Sequence, residues 1–230
     1  MKKINLIRVV MLVVTGLVVS SCSSDSSGDS NGTTTGNYFP MAVNNKWNYT
    51  DGTTNTVATI IGTTTFGGVT YYEMTDTNSD LSIPNWMTKK GASYYQKAGT
   101  TTENQGSTTI VIEPYEVKVF RDDLAVGESW HGAASPKVTY SGGSGSGSFN
   151  AQITYEGTIT ARDVSETLGG VPYNNIIKMK MDIVVNSNGQ INTIHSDYWL
   201  AKDIGLIKET ETSTVDNITK TRYLTSYELH

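Results

Sequence analysis

The chain has 230 residues, 17 basic and 22 acidic, for a formal charge of −5, and it holds a single cysteine. An acidic balance argues against nucleic acid as a partner and against docking on anionic headgroups through a basic patch. One thiol excludes an intrachain disulfide, and the sequence has no Cys/His cluster with metal-ligand spacing, so no cofactor or metal is expected.

Lys2, Lys3 and Arg8 form a positive flank, and residues 6–19 are apolar apart from Arg8, Thr15 and Gly16. This is the pattern of an export signal. The alternative is a buried helix or membrane span with an incidental Cys22. The apolar run is shorter than the roughly 20 residues a spanning helix needs, and polar rather than basic residues follow it. The run closes on Val19-Ser20-Ser21-Cys22, which resembles the lipobox at which lipoprotein signal peptidase cuts. The resemblance implies a signal peptide over 1–21, lipidation of Cys22 with palmitate-like chains, and attachment to an envelope membrane. Two or three such chains, at about 0.8 kcal/mol per buried methylene, hold a protein effectively permanently. Cleavage would remove three basic residues, leaving 14 basic against 22 acidic and a charge of −8.

Residues 23–37 contain only Ser, Thr, Gly, Asn and Asp, so 22–37 is read as a lipidated tether. As a flexible coil it would reach on the order of 20 Å. Asp25 and Asp29 stand where some Bacteroidetes lipoproteins carry a denser acidic surface-export signal, although ordinary linker charges explain them equally well. Ser23 after the cysteine resembles outer-membrane-directed lipoproteins. Periplasmic and cell-surface orientations both stay open.

From Tyr38 onward the period is that of strands. Ile177, Met179, Met181, Ile183 and Val185 alternate with Lys178, Lys180 and Asp182, the sign of a strand with one wet face. Tyr223, Thr225, Tyr227 and Leu229 alternate in the same way. Further segments rich in β-branched and aromatic residues lie at 57–61, 69–75, 93–95, 108–120, 149–160 and 204–208. Gly67-Gly68, Gly169-Gly170, Asn188-Gly189 and Asp51-Gly52 supply turn chemistry. The Ser/Gly run 141–148 is expected to be a flexible hairpin connection.

Three motif pairs recur in order. Residues 41–47 match 124–130, residues 65–71 match 167–173, and residues 85–91 match 198–205 with one insertion. They divide the body into a first β half, 38–120, and a second, 121–230. Chance likeness among simple β sequences is the alternative. Tyr38-Phe39-Pro40 with Trp47, then Gly170, Tyr173, Asn175 and Lys178, and last Trp199, Ala201, Lys202, Gly205, Leu206, Ile207 and Lys208 resemble a group of uncharacterised Bacteroidetes envelope lipoproteins. That resemblance implies an all-β fold, a curved antiparallel sheet of the half-barrel or barrel-like kind seen in lipoprotein carriers, and no particular activity. Trp199, followed by Asp203, Gly205 and Leu206-Ile207, reads as strand, tight turn and strand, with the indole closing one end of a core.

Chemistry is sparse. His131, His195 and His230 have no close partners in sequence, and His195-Ser196-Asp197 is no triad, because consecutive strand residues face opposite ways. Asp122-Asp123, with Glu113 and Glu116, are carboxylates for glycoside chemistry or calcium, against the plainer reading of a solvated turn. Trp47, Trp86, Trp130, Trp199, Tyr72 and Tyr95 are the candidate ligand contacts, against the alternative that they fill strand positions. Two functions follow: a non-catalytic envelope lipoprotein acting as a binding or structural module for a hydrophobic or glycan ligand or a protein partner, and, as alternative, a hydrolase of envelope polysaccharide.

Overall fold

The structure, a computed structural model, describes residues 32–77, 84–143, 145–215 and 217–230; the segment read as a signal peptide, Cys22 and most of the segment read as a tether lie outside them. The described residues form no helix. The first eight strands are β1 (Lys46–Thr50), β2 (Asn55–Phe66), β3 (Val69–Asp76), β4 (Asn85–Lys90), β5 (Ser93–Ala98), β6 (Thr101–Gln105), β7 (Thr108–Ile112) and β8 (Tyr115–Arg121). The next eight are β9 (Ser129–Ala134), β10 (Lys137–Gly142), β11 (Gly145–Asn150), β12 (Gln152–Leu168), β13 (Val171–Ser187), β14 (Gln190–Ala201), β15 (Gly205–Ser213) and β16 (Thr219–Glu228).

Twelve strands make one antiparallel sheet, in the order β8-β5-β4-β3-β2-β1-β16-β15-β14-β13-β12-β9, that curls almost into a barrel. The order of the first six, read from β8 to β1, recurs in the last six, read from β16 to β9. The entries to β1 and β9 also match in detail. Asn44 and Gly127 both have positive φ, 76° and 87°. Asn44 N donates to Ile60 O at 2.8 Å, and Gly127 N donates to Ile159 O at 2.8 Å. The Gly67-Gly68 and Gly169-Gly170 turns close the β2–β3 and β12–β13 hairpins at the same register, Phe66 against Val69 and Leu168 against Val171.

The two sets of strands meet at two junctions. At one, β1 and β16 pair from Lys46 opposite Glu228 to Thr50 opposite Tyr223, with a bulge at Asn48/Tyr49. At the other, β8 and β9 are the two ends of the sheet, and side chains cross between them. Trp130 Nε1 donates to Lys118 O at 2.9 Å, and Lys118 N donates to the Tyr155 hydroxyl at 3.1 Å. Both rings occupy the space that a side chain at a cross-strand glycine would take. A Cβ on Gly157 would come within 2.1 Å of the Trp130 ring, and one on Gly132 within 2.2 Å of the Tyr155 hydroxyl. The four strands left over form a second sheet, β11-β10-β7-β6, which spans this junction through the β7–β10 pairing.

The long alternating strand β13 behaves as its period predicts, with Ile177, Met179, Met181, Ile183 and Val185 all buried. Two expectations need correction. Residues 141–142 and 145–148 are strand rather than slack loop: Ser141 pairs with Ser146 and Gly142 with Gly145, because β7 offers β10 a backbone ladder that requires no side chain. In β16 the buried apolar residue is Leu224, whereas Tyr223 and Tyr227 are exposed. Arg222 turns inward and is tolerated there because Glu209 and Asp76 both pair with it.

Candidate functional site

The described chain enters the body as a strap across one end of the sheet. Thr34 Oγ1 and Thr35 N donate to the two carboxylate oxygens of Asp122 at 2.8 and 2.7 Å, and Lys89 Nζ donates to Asp122 at 2.8 Å. Asp122 is therefore fully buried rather than part of a solvated turn. Its desolvation is offset by three charge-assisted hydrogen bonds, one of them from the Lys89 ammonium. Arg162 from β12 donates to Thr35 Oγ1 and to the carbonyls of Asp122 and Leu124, and the Asp203 amide donates to Asn37 O. The strap thus bonds to β4 and the β8 end on one side and to β12 and the β14–β15 turn on the other. Beyond it, Tyr38 meets Phe120 edge-on at 5.9 Å and Phe39 stacks on Trp47 at 5.2 Å.

The four tryptophans divide into two kinds. Trp47 and Trp130 are buried, with their indole N–H groups donated to Ile204 O and Lys118 O, so they present no surface to a ligand. Trp47, not Trp199, closes the core at the β14–β15 turn, where its Nε1 sits 3.1 Å from the position of a Cβ on Gly205. Trp86 and Trp199 are half-buried on the outer face. Trp86 packs edge-on against Phe66 at 5.2 Å, and its buried Nε1 has no hydrogen-bond partner among the described residues. Trp199 stands between Lys178 Nζ at 3.7 Å and Lys208 Nζ at 4.4 Å from its ring centroid. Tyr95 is half-buried under Lys90, whose Nζ is 4.4 Å from its ring.

Tyr72 faces a groove of about 680 Å³ beside the strap, lined also by Thr34, Phe39, Met41, Thr88 and Lys89. A second cavity, about 270 Å³, opens among Asp51, Thr56, Glu209, Glu211, Lys220 and Arg222. Behind its wall the Tyr198 hydroxyl and Ser196 Oγ are both buried. Burial pushes the Tyr49 and Tyr198 phenols up, and Glu209 adds to the rise in both.

Of the carboxylates named from sequence, Glu113 is exposed and Glu116 pairs with Lys90 at 3.2 Å. The residues 195–197 alternate as predicted: Ser196 is buried, while His195 and Asp197 are exposed. Sequence reasoning missed Asp122 as a strap anchor and the lysines about Trp199. For the lysines a signal existed, since Lys178 and Lys208 fall on the wet faces of strands next to that of Trp199.

No family model matches the chain, and no curated protein matches it. Among solved structures it is similar to a provisionally assigned lipoprotein from Parabacteroides distasonis, with a TM-score of 0.47 and 11% identity over 83% of this chain and 98% of that one. It is also similar to a provisionally assigned exported protein with a YmcC-like fold from Bacteroides fragilis, with a TM-score of 0.38 and 9% identity over the same shares. Both likenesses are too distant to carry a conclusion about this chain.

Proposed function

We propose that the chain is an outer-membrane lipoprotein anchored through Cys22, whose barrel-like body is a non-catalytic binding or structural module of the envelope. The observation that carries this reading is the order of the N-terminal segments: a positive flank, a short apolar run, Val19-Ser20-Ser21-Cys22 and a polar tether. The strap supports it. A lipid-held tether pulls on its point of entry, and here that point is fastened to both sets of strands through Asp122, Arg162 and Asp203.

A glycan or a protein partner fits the outer face better than a hydrophobic ligand fits the interior, which is filled by side chains such as Trp47, Ile60, Ile177 and Met181. Against the hydrolase reading, Glu209 of the second cavity is tied, together with Asp76, to Arg222. Fractionation of cells carrying Cys22→Ala tests the anchor. The wild-type chain is expected in the outer-membrane fraction and the variant in the soluble or inner-membrane fraction. Identical partition of the two would refute the proposal.

A further inference from the structure

The two sets of strands carry the same row of outward residues with different charges. In the first, Glu73, Trp86, Lys97 and Glu116 lie opposite one another across β3, β4, β5 and β8. In the second, Lys178, Trp199, Lys208 and Tyr223 occupy the corresponding places across β13, β14, β15 and β16. The tryptophan and the lysine after it are kept. Both flanking acids are replaced, one by a lysine and the other by a tyrosine.

The exchange creates a cationic aromatic strip. Lys178 is partly neutralised by Glu166 at 2.5 Å. Lys208 has no carboxylate within ion-pair distance among the described residues; its Nζ rests 4.4 Å from the Trp199 ring and 5.6 Å from that of Tyr223, which is 39% exposed. Across three strand spacings the strip runs about 14 Å. The net charge of the chain does not cancel it, because fields decay over roughly 8 Å at physiological salt.

We propose that this strip binds a short acidic oligosaccharide, with Lys208 and Lys178 holding carboxylates and Tyr223 and the edge of Trp199 packing against sugar C–H faces. Aromatic surface alone would suit a neutral sugar; the paired ammoniums on an otherwise acidic molecule select a negatively charged one. The inference deepens the binding-module reading above and rests on it for the place where such a glycan is met.

The test is titration calorimetry on the full chain in detergent, with trigalacturonate as probe, maltotriose as the neutral control and phosphatidylglycerol vesicles as the competing surface. Trigalacturonate should bind, and added salt should weaken it. Lys208→Gln should cost about tenfold, one charge-assisted contact, Tyr223→Ser should also weaken binding, and Lys97→Gln in the counterpart row should leave it unchanged. Absence of trigalacturonate binding, equal loss in Lys97→Gln and Lys208→Gln, or binding to the vesicles in its place would overturn the proposal. Acylated protein that ignores trigalacturonate refutes the strip alone, whereas unacylated protein that binds it refutes the anchor alone.

Discussion

The two junctions that close the sheet are built differently. Between β1 and β16 the backbone does the joining, and side chains such as Asn48, which donates to Ser226 Oγ at 2.9 Å, decorate it. Between β8 and β9 the joining falls to Trp130, Tyr155 and the small sheet. A ladder tolerates exchange of any one side chain, because each residue adds its own bonds. A junction held by two rings over two glycines does not. The strap crosses the sheet end beside the weaker junction, fastening Asp122 after β8 to Arg162 of β12.

The contrast can be broken most completely in alkali. Burial raises the phenols of Tyr49 at the laddered junction and Tyr115 on β8 above their ordinary value. A raised folded-state value means that the folded chain holds protons the unfolded chain has given up. Their contribution is thus fully present below about pH 10, and it is lost as pH climbs towards the folded values. Phenolate absorbance should show the exposed tyrosines titrating first and the buried ones only with cooperative unfolding; smooth titration of all of them without unfolding would contradict the burial.

Single substitutions sharpen the comparison. Trp130→Ala should cost about 3–5 kcal/mol, with hydrogen exchange rising first along β8 and β9, while Asn48→Ala should stay within about 0.5 kcal/mol. Equal costs in denaturant melts would mean that the junctions are not different in kind.

The strands were legible because their period survives in the residues themselves. In β1, Trp47 and Tyr49 alternate with Lys46, Asn48 and Thr50, and the two aromatics are the buried ones. The period fails where the backbone slips. Trp199 sits between the buried Tyr198 and Leu200 at a bulge, so its outward direction could not be read from its neighbours. Arg222 is likewise illegible, since the acids that permit it inside come from β15 and β3. Asp122 looked like a turn residue because its partners, Lys89 and Thr35, lie 33 and 87 positions away. The cationic strip is half legible: Lys178 and Lys208 fall at wet positions of their own strands, but only the pairing of four strands brings them to Trp199 and Tyr223.

The intact mass of the chain extracted from its native membrane bears most directly on the anchor. The expected species is a polypeptide beginning at Cys22 and carrying the added mass of a diacylglycerol, with or without a third chain. A mass matching the uncut sequence, or a cut chain with no acyl addition, would contradict it.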